Sequence, residues 1–129
     1  MKKLLIILTL IFTLIYLSTS YAEWTKVSEN LSGTEYYVDF GRIRKVNGYV
    51  YYWDLTDYLK PDEYGNLSVK LYNQGDCKPF RVKVLSSSFH KEPMGNGTVT
   101  TENPPDEWVY PPPNSAVEII LNHVCDWAK

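Results

Sequence analysis

Asp39 and Asp54 are the two residues whose type and placement come closest to a catalytic pair. Two carboxylates held across a sugar bond act as acid and base in glycoside hydrolysis. Both aspartates, however, lie in strand-like runs with lysines and arginines on neighbouring runs, which is typical of solvent-facing pairs on a sheet. No motif places a nucleophile beside a base. The sequence predicts that the protein is not an enzyme, and a small hydrolase is the least favoured alternative.

His90, His123 and Met94 are the side chains that could ligate a metal ion or a haem. His90 ends a strand-like run and His123 lies off the apolar stripe of a helical segment, so nothing in the sequence brings them together. No cluster has the spacing of a metal site. We therefore predict two solvated histidines, no metal and no cofactor.

Residues 92–118 combine a glycine loop with two proline clusters. Gly95 and Gly97 do not lead into a helix with a suitable lysine, as a phosphate-binding loop would. Trp108 and Tyr110 interrupt the prolines, and Pro113 runs into a helix cap, which is not the pattern of a polyproline ligand. We interpret the stretch as framework, with the glycines in a turn and the aromatic residues covering an end of the core.

The first 22 residues have the parts of a secretory signal peptide: two lysines, an apolar run at 4–17, and Ala22 at the expected cleavage position. A 14-residue helix reaches about 21 Å, short of the roughly 30 Å hydrocarbon core, so cleavage is favoured over an anchor. We expect an exported domain of residues 23–129, located in the periplasm, on the cell surface or outside the cell.

The exported part has 11 basic and 15 acidic side chains, a formal net charge of -4. This charge favours neither nucleic acid nor a polybasic membrane contact, so the export signal is the one expected link to a membrane. Cys77 and Cys125 both lie in this part, and an oxidising compartment favours a disulfide between them. The alternative is a redox-active thiol pair, but no Cys-x-x-Cys spacing supports it.

Short strand-like runs separated by turn residues fill residues 24–99, and Asn47-Gly48 marks the clearest hairpin turn. Alternation then assigns side chains to two faces. The predicted core face comprises Tyr36, Val38, Phe40, Tyr49, Tyr51, Trp53, Leu55, Leu67, Val69, Leu71, Val82 and Val84. On the opposite face we predict a candidate protein-binding surface, because tyrosine and arginine are enriched at recognition surfaces. Its residues are Tyr37, Tyr52, Tyr58, Tyr72, Lys70, Arg81 and Lys83.

One helix is predicted at the C-terminus. Ser115 is a suitable N-cap, and Glu118 three residues later completes a capping box. An apolar stripe follows at helical spacing, with Cys125 at its edge. The fold class is therefore α+β: an antiparallel meander of about six strands packed by one helix and joined to it by one disulfide.

Several motifs in this order resemble the surface-adhesin protein E-like domain family: "VYYWDLTDY", "LSVK", "DCKPFR", "MGNG", "WVYPPPNS" and "VC". The resemblance covers nearly all of residues 23–129. It implies small exported bacterial proteins whose sheet of about six antiparallel strands is packed by a C-terminal helix. The matching residues Trp53, Gly95, Gly97, Trp108, Pro113 and Ser115, with the two cysteines, are interpreted as framework.

The resemblance also implies adhesion to host extracellular-matrix proteins. The leading hypothesis is therefore an exported, non-enzymatic module that binds a host or cell-envelope protein through its sheet face. The alternative is a periplasmic structural or accessory protein without a host ligand. A second subunit could also cover the tyrosine-rich face, which would make the protein a homodimer.

Overall fold

The computed structural model describes residues 22–129, and the predicted signal peptide lies outside this range except for Ala22. Within these residues, one seven-stranded antiparallel sheet packs against one α-helix. The strands are β1 (Thr25–Glu29), β2 (Glu35–Val38), β3 (Arg44–Val46), β4 (Tyr49–Asp57), β5 (Ser68–Asp76), β6 (Arg81–His90) and β7 (Val99–Glu102), and the helix is α1 (Ala116–Trp127). This arrangement confirms the predicted α+β class, with seven strands where about six were expected.

The strand order is β1-β2-β4-β5-β6-β7, and β3 also pairs with β4. Two strands therefore pair with the same edge of β4: β3 with its first half and β2 with its second half. A 3-10 turn at Phe40–Arg42 carries the chain from β2 to β3. The Asn47-Gly48 turn then joins β3 to β4, and both residues have positive φ, as a type I′ turn requires. This hairpin sets Arg44 directly opposite Tyr51.

The core lies between α1 and the N-terminal half of β4. Val50 and Tyr52 from β4 pack there with Leu121 and Val124 from the helix. Gly75 on β5 allows this close approach, because a Cβ at that position would lie 2.9 Å from both Leu121 Cδ1 and Val50 Cγ2. A larger residue at this position would push the helix away from the sheet.

Two local devices hold α1 in place. The Ser115 hydroxyl accepts a hydrogen bond from the Glu118 N–H at 3.2 Å, and the Glu118 carboxylate accepts one from the Asn114 N–H at 3.1 Å. Ser115 is therefore the N-cap as predicted, but the capping box is incomplete, because the Ser115 N–H donates to the Pro112 carbonyl and Glu118 binds the preceding residue instead. The Cys77–Cys125 disulfide, predicted from the sequence, joins the β5–β6 turn to the last turn of the helix.

Candidate binding face

The sheet has a helix-facing side and an outer face, which the strand register defines. Residues paired across neighbouring strands share a side, and the side alternates along each strand. Val50 and Tyr52 pack under α1, so the alternate residues Tyr51 and Trp53 lie on the outer face. Tyr72 lies there too, because it pairs with Trp53. The outer face also carries Tyr37 from β2, Arg44 from β3, Tyr49 from β4, Lys70 from β5, and Arg81 and Lys83 from β6.

The predicted orientation of β4 was wrong. Tyr52 is 1% exposed and belongs to the helix-packed core, whereas Tyr51 and Trp53 point to the outer face. The run "YVYYWDLT" has large apolar or aromatic side chains at both odd and even positions, so alternation alone could not show which set meets the helix. The Asn47-Gly48 hairpin does not resolve the choice either, since it pairs Tyr51 with Arg44 and Val50 with Lys45, so a basic residue lies opposite each set.

Tyr58 also departs from the prediction. It follows β4 at an even position, which continues the helix-facing side, and its N–H donates to the Leu67 carbonyl at 2.9 Å. Its pKa is raised, first by burial and then by the nearby Asp62 carboxylate and the Tyr36 hydroxyl. Tyr58 is therefore not part of the outer face.

One end of the outer face is covered by the chain itself. Trp108 stacks on Tyr49 with ring centroids 5.7 Å apart, and Arg81 and Lys83 lie over its ring at 4.1 and 4.9 Å from the centroid. Lys83 forms an ion pair with Asp106 at 2.7 Å. We call Tyr49, Arg81, Lys83, Asp106 and Trp108 the Trp108 cluster.

Further contacts fix the Trp108 cluster in position. Val109 forms a two-way backbone bridge with Val82, with N···O distances of 2.8 and 2.9 Å. Arg81 forms a second ion pair, with Asp76 at 3.2 Å. Both basic side chains of the cluster therefore have a carboxylate partner as well as an aromatic one.

A tight turn covers the other end of the outer face. The Ser68 hydroxyl accepts from the Gly95 N–H at 2.8 Å and donates to the Glu92 carbonyl at 2.7 Å. Asp57 accepts from the Met94 N–H at 2.8 Å. Gly95 has positive φ, and a Cβ there would lie 2.5 Å from Lys70 Cε, so the position requires glycine. These contacts give Gly95 a structural role and place the Lys70 stem beneath the turn.

The middle of the outer face remains open. Trp53 and Tyr72 pack there with ring centroids 4.9 Å apart, and Tyr51 packs on the other side of Tyr72 at 6.3 Å. Beside these rings is a groove of about 320 Å³ lined by Gly41, Arg42, Arg44, Trp53 and Tyr72, which we call the arginine-tyrosine groove. The Arg44 guanidinium donates to the Tyr72 hydroxyl at 3.3 Å. Cationic and aromatic groups thus share one partly exposed surface.

Four of the predicted binding residues do lie on the outer face: Lys70, Tyr72, Arg81 and Lys83. They are not equally available to a partner. Arg81 and Lys83 belong to the Trp108 cluster, and Tyr72 borders the arginine-tyrosine groove. Tyr37 lies at the β2 side, where its hydroxyl donates to Glu35 at 2.5 Å, which raises its pKa to about 12. Sequence reasoning missed Tyr51, Arg42 and Arg44.

Residues 24–126 match a family model described as surface-adhesin protein E. The chain belongs to this family. The family description implies an exported or cell-surface protein, although no curated protein matches the chain.

Solved structures of Haemophilus influenzae protein E share the fold. Crystal form II aligns with a TM-score of 0.64 and 16% identity, over 87% of this chain and 94% of that one. A second structure aligns with a TM-score of 0.61 and 16% identity, over 84% and 88% of the two chains. The protein from a non-typeable strain gives a TM-score of 0.57 and 15% identity, over 84% and 79%. Identities this low support the common fold and no shared ligand.

The family motifs occupy both sides of the sheet. Trp53, predicted to be a core residue, lies on the outer face, and Trp108 covers that face rather than the helix-packed core. Ser115 caps α1, and Pro113 precedes this cap. Gly97 has positive φ and closes the turn that contains Gly95. Tyr110, expected to cover the core, is 64% exposed.

The two candidate catalytic aspartates are buried rather than solvent-facing. Asp54 lies on the helix-facing side, and burial raises its pKa to about 7 although the Asn73 amide donates to it at 2.7 Å. Asp39 is 2% exposed and forms an ion pair with Arg42 at 3.2 Å. Both carboxylates therefore have structural partners within the protein.

The histidines differ from each other in their surroundings. His90 is 5% exposed, contrary to prediction, and its Nε2 lies 2.9 Å from the Ser88 hydroxyl. Burial and then the nearby Lys70 ammonium lower the pKa of His90. His123 is exposed on α1. Residues 22–129 contain no cluster of three or more metal-binding side chains.

Among residues 22–129, no helix is both long enough and apolar enough to span a bilayer.

Proposed function

We propose that the protein is an exported, non-enzymatic binding module that contacts a protein partner through the open middle of its outer face. The observation that supports this proposal is the half-buried group of Tyr51, Trp53 and Tyr72 next to the exposed Arg44. Tyrosine, tryptophan and arginine are enriched among residues that contribute most to protein binding. Rigid strands hold these side chains, so a partner can dock with little loss of conformational entropy.

Export supports the same proposal. We propose cleavage after Ala22, which would release residues 23–129 as one domain, consistent with a family of surface adhesins. The candidate partners are host extracellular-matrix proteins and proteins of the bacterial envelope. A second copy of the chain on the outer face is a further candidate, and it would give a homodimer.

Site-specific photo-crosslinking tests the binding proposal. The full chain is expressed in bacteria with a photoreactive phenylalanine analogue at Tyr51 and, as a matched control, at Asn122 on the exposed side of α1. Cells are irradiated with and without immobilised extracellular-matrix proteins, and adducts are identified by mass spectrometry. We expect one defined adduct from position 51 and none from position 122. Equal adducts from both positions, or none from either, would contradict binding through the outer face.

Whether the protein lies on the cell surface or in the periplasm needs a separate experiment. Protease is added to intact cells, and residues 23–129 are detected with an antibody. Loss of the signal without lysis would place the protein on the surface and support a host ligand. Protection until the outer membrane is opened would favour the periplasmic accessory protein, and adhesion would then be a property of other family members only.

A further inference from the structure

Among the residues that line the arginine-tyrosine groove, two are arginines and none is acidic, although the exported part as a whole has a net charge of -4. Arg42 and Arg44 line the groove, and Gly41 leaves it open because it has no side chain. A locally positive surface on an acidic protein favours an anionic ligand at this position.

Arg44 has a neutral partner. Its guanidinium donates to the Tyr72 hydroxyl at 3.3 Å, and among residues 22–129 no carboxylate lies within ion-pair distance of it. Arg42 differs, because its Nε lies 3.2 Å from the buried Asp39 carboxylate. A guanidinium has five donors arranged to bind a carboxylate in a bidentate way. Arg44 therefore retains the capacity to bind a carboxylate from another molecule.

The Trp108 cluster shows what fills a similar arrangement within the same protein. Lysine and arginine side chains on the outer face there receive a chain segment that supplies one aromatic ring, Trp108, and one carboxylate, Asp106. The two residues are separated by one position in "NPPDEWVY", and Val109 pairs with the edge of β6. The arginine-tyrosine groove has the basic and aromatic groups, but no segment within residues 22–129 supplies a carboxylate and a ring to it in this way.

From this comparison we infer that the arginine-tyrosine groove binds an acidic segment of a protein partner, with an aspartate or glutamate two positions from an aromatic residue. The carboxylate pairs with Arg44, and the aromatic ring packs on Trp53 and Tyr72. This inference rests on the proposed function, since it names the chemistry of the partner. Electrostatic attraction to Arg44 makes the interaction weaken as the salt concentration rises.

A peptide titration tests the inference. The probe is a synthetic peptide with blocked termini and the sequence of residues 103–110, "NPPDEWVY", and the control is "NPPNQWVY", which lacks both carboxylates. The exported chain is titrated with each peptide, and chemical shifts of the Trp53 and Trp108 indole N–H groups are followed by NMR. We expect saturable shifts at Trp53 with the acidic peptide. The neutral peptide should bind at least about tenfold more weakly, because a hydrogen bond to a charged group is lost.

Two variants identify the residue responsible. Arg44→Ala should weaken the acidic peptide about tenfold, and Arg44→Glu should weaken it further by repulsion. Lys45→Glu makes the same charge change at the next residue of β3, which pairs with Val50 and faces the other side of the sheet. We expect less than about a twofold effect from Lys45→Glu, since its charge does not face the groove.

Several outcomes would overturn the inference. These are equal affinity for the two peptides, no shift at Trp53, shifts confined to Trp108, or equal losses from Arg44→Glu and Lys45→Glu. A sulfated polysaccharide that competes in an Arg44-dependent way at lower concentration than the peptide would identify an anionic sugar as the ligand and would also overturn it.

The peptide titration and the photo-crosslinking experiment can fail independently of each other. An adduct from position 51 that persists in Arg44→Glu would leave the binding function intact and disprove the acidic segment. Absence of any adduct together with an Arg44-independent titration would disprove both.

Discussion

The Trp108 cluster and the arginine-tyrosine groove use similar side chains on the same face of one sheet, yet only the first is complete. In the cluster, Arg81 and Lys83 each have a carboxylate partner, and both also contact the indole ring of Trp108, which stacks on Tyr49. In the groove, Arg44 has only the Tyr72 hydroxyl among residues 22–129. The basic groups of the cluster are thus paired with carboxylates within the protein, whereas Arg44 keeps donors that no carboxylate of residues 22–129 occupies.

The largest expected effect comes from the disulfide next to the Trp108 cluster. Replacing Cys77 and Cys125 by serine should lower the free energy of unfolding by about 4 kcal/mol, because the bond restricts a loop of roughly 50 residues in the unfolded chain. Urea unfolding measures the loss. Since Cys77 follows Asp76 directly, amide exchange should accelerate more at Val82 and Val109 than at Tyr51. Equal acceleration at both places would show that the cluster and the groove are not independent.

The second prediction concerns Asp54, a buried carboxylate whose hydrogen-bond partner is the neutral Asn73 amide. It is the acidic counterpart of Arg44, whose partner is also a neutral group. The pKa of Asp54 is raised by burial to about 7, so the folded state holds its proton more tightly than the unfolded chain does. The stability from this group is complete below about pH 4 and is lost as the pH rises to about 7. Asp54→Asn should be more stable than the wild type at pH 8 by about 3 kcal/mol, after about 1 kcal/mol is subtracted for an imperfectly bonded amide.

Urea unfolding of the wild type and Asp54→Asn between pH 4 and 8 checks this prediction. The two free energies should diverge as the pH rises, because only the wild type must ionise a buried group. Asp76→Asn is the matched control: Asp76 pairs with Arg81, so its removal should destabilise the protein near neutral pH. A constant difference between the wild type and Asp54→Asn would show that Asp54 ionises normally.

The third prediction uses Trp108→Ala to compare the Trp108 cluster with the arginine-tyrosine groove, by stability and by peptide binding. Trp108→Ala should lower the free energy of unfolding by about 2 kcal/mol, less than for a fully buried tryptophan, because the half-buried ring packs on Tyr49, Arg81 and Lys83. Binding of a partner at the groove should change little. Thermal unfolding and the peptide titration measure the two effects. A variant that keeps full stability would show that the cluster is not structural.

The smallest effect on stability is expected at the groove. Arg44→Ala removes an exposed side chain with one hydrogen bond to a neutral hydroxyl, so the free energy of unfolding should change by less than about 0.5 kcal/mol. Chemical unfolding of Arg44→Ala measures this change. Lys45→Ala is the control variant, since both residues are exposed on β3. A loss near that of Trp108→Ala would mean that Arg44 supports the fold and would weaken the case for a binding role.

Much of the fold could be predicted because the relevant signals are local. Asn47-Gly48 forms the expected turn, Ser115 and Glu118 cap α1, and Cys77 pairs with Cys125. The candidate site was predicted only in part. Tyr72, Lys70, Arg81 and Lys83 do lie on the outer face, but Tyr52 is in the core.

The errors share a physical cause. In the first half of β4 both alternating sets are apolar or aromatic, so either set could have packed against the helix. Gly75 and the approach of Leu121 decide in favour of Val50 and Tyr52. The burial of His90 likewise depends on how strands distant in sequence are arranged around it, which alternation cannot reveal.

The sequence by itself determined the strands, the hairpin turn, the helix and its cap, and the cysteine pair, because each depends on neighbouring residues or on the expected compartment. Only the tertiary structure decided which side of β4 meets the helix and which cations receive carboxylates. Those outcomes depend on contacts between distant segments, such as Trp108 on Arg81 and Arg44 beside Tyr72. Such contacts follow from the packing of the whole chain, so the open groove became visible only in the folded protein.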